Sequence, residues 1–248
     1  MKNLLQPLLT AALLAAAPLT AASGEDVEPP AATAQPQAGA VSADPKFYMA
    51  RANGYADSGD YELAIADYGR ALKLDPKLAE AYENRGVARH LLENFDAAIA
   101  DFNAALKLDA KRPSVYYDRG LSRARKRQYD RAIGDFSRAL ALDPKMYAAA
   151  EARGLAHAMK KDYDKAIADF TLAIRLAPET AGPYVNRATS YGYTGRYGLA
   201  VRDFSEAIRL DPDLPQAYLG RAKAYGLLGE TEKAAADEAK FARLSRGY

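Results

Sequence analysis

One pentapeptide returns through this chain at a fixed interval: Ala64-Ile65-Ala66-Asp67-Tyr68, Ala98-Ile99-Ala100-Asp101-Phe102, Ala132-Ile133-Gly134-Asp135-Phe136, Ala166-Ile167-Ala168-Asp169-Phe170 and Ala200-Val201-Arg202-Asp203-Phe204. The interval is 34 residues each time. Self-similarity at such a period is the signature of a row of small units, each of which needs its neighbours to bury its apolar faces. Counted from Pro45, the units are 45–78, 79–112, 113–146, 147–180, 181–214 and 215–248.

Within one unit, Ala64, Ile65, Tyr68, Ala71 and Leu72 fall at i, i+1, i+4, i+7 and i+8, the apolar face of a helix. Tyr48, Ala52 and Tyr55 make a similar face earlier. Ser58-Gly59-Asp60 between them reads as a turn, and Asp75-Pro76 stops the second helix. Each unit is therefore expected to be a helical hairpin in which alanines allow close approach and tyrosines fill the space beside them.

Period, small and aromatic positions, and the terminal proline together make the chain resemble the tetratricopeptide repeat family over Pro45 to Tyr248. The resemblance implies an all-α fold, a right-handed superhelical α-solenoid of six antiparallel helix pairs. It also implies a groove, lined by the first helices, that holds a segment of another protein. Departures are Ala110 for proline, Ala150 for an aromatic, and Thr231 and Glu238 for aromatics in the last unit. The last two suit a terminal helix that must present a polar face.

Arg51, Arg85, Arg119, Arg153, Arg187 and Arg221 share one register; Asp67, Asp101, Asp135, Asp169, Asp203 and Asp237 share another. In the first unit each member lies the same number of residues from Gly59, so the two are expected to face each other across the bend. An Arg fork suits a carboxylate, which makes structural ion pairs the leading reading. The alternative is a ladder of arginines for an anionic ligand.

The resemblance places Met49, Asn53, Asp57, Glu83, Asn84, Val87, Leu91, Tyr117, Asp118, Leu121, Arg125, Glu151, Leu155, Met159, Val185, Asn186, Thr189 and Tyr193 toward the groove. Of these, Val87, Leu91, Tyr117, Leu121, Leu155 and Met159 form an apolar stripe with Asn84, Arg125 and Asn186 beside it, and Tyr193 beyond. Such side chains bury against a ligand while asparagines hold its backbone amides. They serve equally to complete packing between adjacent first helices, and the two readings look alike in sequence. The lysine and asparagine clamp by which some relatives grip carboxylate tails is missing: the corresponding register holds Met49, Asn53, Asn84, Ser114 and Asp118.

Residues 1–22 carry Lys2, an apolar stretch from Leu4 to Leu19 and a small-residue end, and are expected to be a cleaved signal peptide; an uncleaved anchor is the rival. Residues 23–44 are rich in Pro, Ala and acid without an aromatic, the composition of a disordered linker. Together these point to an exported protein, in a bacterial periplasm, that is not a lipoprotein, since the chain has no cysteine.

The 34 basic residues are matched by 32 acidic ones, which argues against a nucleic-acid partner. Arg123, Arg125, Lys126, Arg127 and Arg131 form the strongest basic run, either a solvated edge or a point of contact with anionic lipid or envelope polysaccharide. Gly120-Leu121-Ser122-Arg123-Ala124 has the spacing of a nucleophile elbow but falls inside a helix, where that motif cannot present its serine. His90 and His157 lack a second histidine at ligand spacing. No catalytic residue, metal or cofactor is expected. The sequence thus points to a non-enzymatic adaptor for a protein or peptide segment, with a structural assembly subunit, self-associating or docking through its outer faces, as the alternative.

Overall fold

The computed structural model describes residues 42–245; the expected signal peptide and all but the last residues of the expected linker lie outside them. The described residues form twelve helices and fall into two compact units. The first unit ends at Leu142 and holds α1 (Pro45–Asp57), α2 (Tyr61–Leu74), α3 (Ala79–Leu91), α4 (Phe95–Leu108), α5 (Pro113–Arg125) and α6 (Tyr129–Leu142). The second begins at Asp143 and holds α7 (Tyr147–Met159), α8 (Tyr163–Leu176), α9 (Ala181–Tyr193), α10 (Tyr197–Leu210), α11 (Pro215–Leu227) and α12 (Thr231–Ser245). Within each unit the architecture is a solenoid of helix pairs: each helix packs on its neighbours in sequence, and each first helix also meets the first helix of the next pair.

Helix boundaries have local causes. Asp44 caps α1 by accepting from the Lys46 N–H at 2.9 Å, and Pro45, Pro113 and Pro215 begin helices where a missing N–H costs nothing. Between pairs, Asp75, Asp109, Asp143 and Asp211 accept through Oδ1 from the N–H two residues on, at 2.9 to 3.1 Å, an Asx turn that replaces the helix. The bend inside each pair needs one left-handed residue. Gly59, Gly195 and Gly229 supply it at φ 83°, 76° and 79°, whereas Glu93, Arg127 and Lys161 adopt φ 58°, 58° and 66° in the same place.

The core repeats as regularly. Tyr68, Phe102, Phe136, Phe170 and Phe204 are 0 to 2% exposed, each between alanines of its own helix. The rings of Phe102, Phe136 and Phe170 lie against Gly86, Gly120 and Gly154 of the paired first helix, where an added Cβ would come within 2.6 to 2.7 Å of an aromatic carbon. In the last pair the exposed Glu238 stands where the ring would be.

Every pair carries the arginine–aspartate bridge. Arg51 meets Asp67 through Nη2 at 2.9 Å and through a shorter bond from Nε. From Arg85 to Asp101 the Nε and Nη2 distances are 2.9 and 2.7 Å; from Arg119 to Asp135 they are 3.1 and 2.7 Å. From Arg153 to Asp169 they are 2.9 and 2.6 Å, from Arg187 to Asp203 2.7 and 2.9 Å, and from Arg221 to Asp237 2.7 and 2.8 Å. The remaining Nη1 reaches the preceding pair: Arg119 donates to Asn103 at 2.7 Å, Arg187 to Thr171 at 3.0 Å and Arg221 to Ser205 at 2.9 Å. Arg51, Arg85, Arg119, Arg187 and Arg221 also lie over Tyr48, Tyr82, Tyr116, Tyr184 and Tyr218, at 5.4 to 5.9 Å. Additional arginines bind Asp67, Asp101 and Asp135, from Arg70, Arg89 and Arg123.

Two stability measurements follow. Gly120→Ala, which drives a methyl into Phe136, is expected to lower stability by about 1 to 3 kcal/mol in chemical denaturation, while Gly134→Ala, in open space on a helix, raises it by about 0.5 to 1 kcal/mol. Arg187→Ala is expected to cost about 3 kcal/mol because Asp203 loses its fork, and the double variant with Asp203→Ala should cost less than the single one. A double variant no more stable than the single would show that stranded charge is not the reason.

Candidate functional site

In the first unit the face of interest is built by α1, α3 and α5. Tyr68 donates to Asn53 Oδ1 at 2.6 Å and Asn84 donates to the same oxygen at 3.3 Å, so the amide of Asn84 ties two first helices together. Val87 and Leu121 are 8% and 5% exposed and complete helix packing; Leu91, one turn beyond Val87, is 37% exposed. Tyr117 is half-buried with its ring 5.9 Å from that of Phe136.

The rest of the α3–α5 seam is polar. Glu83, 5% exposed, forms an ion pair with Arg112 at 2.5 Å and accepts from Ser114 at 2.7 Å. His90 Nδ1 lies 2.7 Å from Ser122 Oγ, with the ring edge-on to Phe95. Arg125 binds Glu93 at 2.5 Å and lies 5.0 Å over Phe95, and Lys126 pairs with Asp96. Arg123 is held by Asp135, so much of the basic run is tied to acids, while Arg127 and Arg131 stay exposed. Burial, with Arg125 adding to it and Glu93 opposing, pushes His90 down to about 4 and keeps its imidazole neutral.

In the second unit the face is built by α7, α9 and α11. Leu155 is 2% and Asn186 3% exposed, and Asn186 donates to Glu151 at 2.9 Å. Burial raises the Glu151 pKa, with that hydrogen bond opposing. Tyr193 stacks on Tyr163, centroids 4.7 Å apart and planes within 5°, and burial with Tyr163 nearby pushes its hydroxyl up to about 12. Met159 is half-buried; Val185 and Thr189 are 9% and 1% exposed.

The ten candidate partner-binding residues therefore separate. Val87, Leu121, Leu155 and Asn186 are covered by neighbouring helices, which is the packing seam that the sequence left open as an alternative. Asn84, Leu91, Tyr117, Arg125, Met159 and Tyr193 retain solvent exposure. The polar links Glu83–Ser114, His90–Ser122 and Arg125–Glu93 were not read from sequence, although partners sit about one repeat apart. Gly120 to Ala124 lie within α5. His157 is 3.7 and 3.9 Å from Asp162 and Asp169. Among the described residues no three His, Cys, Asp or Glu side chains gather as metal ligands, and no helix is long and apolar enough to cross a membrane.

Family models described as TPR repeat match residues 52–93 and 190–229, and models described as tetratricopeptide repeat match 117–181 and 79–112. No curated protein is matched by the sequence. Among solved structures, the chain is similar to YrrB, "a TPR protein with an unusual peptide-binding site", at 26% identity and TM-score 0.63, covering 71% of this chain and 90% of that one. It is similar to MamA at 25% identity and TM-score 0.64, covering 68% and 92%. With PilW, a "widely conserved type IV pilus biogenesis factor", it shares the fold at 24% identity and TM-score 0.70, covering 79% and 91%.

The neutral state of His90 has a measurable consequence. Its folded pKa is lowered, so the unfolded chain binds more protons between pH about 4 and 6.5, and the contribution of His90 is lost as pH falls through that window. Wild type is expected to lose roughly 2 kcal/mol more than His90→Gln between neutral pH and pH about 4 in denaturant titrations. Parallel pH profiles would contradict this.

Proposed function

Because this chain belongs to the tetratricopeptide repeat family, we propose that it is a non-enzymatic adaptor that holds an extended or helical segment of another protein against the face made by its first helices. The observation that carries this reading is the division of labour within each pair. Rings, arginines and Asx turns hold the fold, while Leu91, Tyr117, Arg125, Met159 and Tyr193 keep apolar and polar surface open on the first helices. The peptide-binding site of the structurally similar YrrB supports it further.

The proposal includes export. Residues 1–22 would direct the chain out of the cytoplasm, 23–44 would tether the repeats, and the protein would work in a bacterial periplasm, where contact with membrane or envelope components is open to it. A second reading, a structural subunit that self-associates or docks through its outer surface, is favoured by one feature. Leu63, Leu92, Leu199, Leu227 and Leu228, at or near hairpin bends, are 39 to 51% exposed.

Photo-crosslinking residues placed at Leu91 and Met159, with Lys107 and Arg175 as controls, separate the readings in intact cells. The adaptor predicts a discrete protein adduct from each of the two first-helix positions, in the exported fraction, and none from the controls. Adducts from the controls alone, or self-association that is lost when Leu227 and Leu228 become serine, would favour the assembly subunit instead.

A further inference from the structure

Along the α3–α5 seam the polar side chains are matched in turn: Ser114 and Arg112 with Glu83, Ser122 with His90, Arg125 with Glu93. Asp118 belongs to this seam, on the α5 face that also carries Leu121 and Arg125 at i+3 and i+7, and is 6% exposed. Its backbone carbonyl accepts from Ser122 Oγ at 3.1 Å, but its carboxyl makes no hydrogen bond or ion pair with any described residue. The charge that acts on it is that of Glu83, which repels, and Glu83 already has Arg112 as its counter-ion. Burial first, and Glu83 second, push the Asp118 carboxyl well above the usual carboxylate range.

Packing does not require an acid here. The same register holds Ala50, Asn84, Ala152, Asn186 and Gly220 in the other repeats. A buried carboxyl without a partner destabilises the free protein, and departures of this kind from polar satisfaction collect at functional sites.

We propose that Asp118 is the counter-ion for a lysine or arginine side chain of the segment bound on the first-helix face. The inference rests on the adaptor reading and names the chemistry of its partner. In the free protein burial and Glu83 both disfavour the charged carboxylate. The incoming ammonium or guanidinium supplies the missing positive charge and favours the charged carboxylate, and the resulting pair lies beside Glu83, which has Arg112 as its own counter-ion. The charge balance selects a cation: an anionic residue would face both Asp118 and Glu83, and a neutral one would leave the carboxyl as it was.

The test is parallel selection of random dodecapeptides on the full chain and on Asp118→Asn, whose near-isosteric amide is expected to fold with a higher melting temperature. Peptides selected by wild type are expected to share one Lys or Arg whose replacement by norleucine weakens binding about tenfold or more, and that difference should collapse on Asp118→Asn. Because the pair needs the charged carboxylate, binding to wild type should weaken more steeply than binding to Asp118→Asn as pH is lowered from neutral. Selected peptides that lack a shared basic residue, that bind both proteins alike, or whose binding to the two proteins has the same pH dependence overturn the cation site and leave the adaptor reading standing. Retention of no peptide by either protein overturns both.

Discussion

A guanidinium carries five N–H donors in one plane, and the repeats of this chain depend on where those donors go. In each pair Nε and Nη2 close a fork on the aspartate of the second helix, which fixes how far the two helices slide past one another. Where the preceding pair offers an oxygen, as at Asn103, Thr171 and Ser205, Nη1 takes it, so the same side chain also sets the spacing to the previous pair. In five of the six pairs the tyrosine three residues earlier in sequence covers the guanidinium face. Because the aspartates are nearly buried, neither partner can be lost alone without leaving a charge in a poor solvent. That requirement ties residues in two registers together and accounts for their presence in all six repeats.

What could be read from the sequence was whatever recurs within one period. The hairpin, its bends, the arginine and aspartate registers, and the aromatic residue among alanines are all local to 34 residues, so repetition exposes them. The difference between Val87 and Leu91 was not legible. Both are apolar, both lie on the same side of α3 one turn apart, and only the neighbouring helices decide that one is covered and the other open. The same holds for Asn186, whose amide is taken by Glu151 from the previous first helix. Contacts of this kind join positions about one repeat apart, and a one-dimensional pattern carries no record of which side chains meet across that distance. The left-handed bends at Glu93, Arg127 and Lys161 were hidden for another reason, since none of these residues signals positive φ.

The polar groups that the fold leaves unsatisfied are not spread evenly. Among the described residues, the buried side-chain atoms without a hydrogen bond are Glu83 Oε2, which meets Arg112 only as an ion pair, His157 Nδ1 and the Tyr193 hydroxyl; all three lie on first helices, as does Asp118. Second helices carry the aspartates, yet each of those is answered by an arginine. Had the whole chain been shaped for stability alone, small or apolar residues could stand at these first-helix places, as Ala50 and Ala152 do in the register of Asp118. In a repeat fold, stability is close to a sum over pairs and their nearest neighbours. A fork and a left-handed bend in each pair, with a buried ring in the first five, therefore secure the hairpins largely from within each pair. That face is then free to hold residues that cost stability, and the concentration of such residues there, together with the exposed part of the apolar stripe, is what supports the proposal of a partner-binding face.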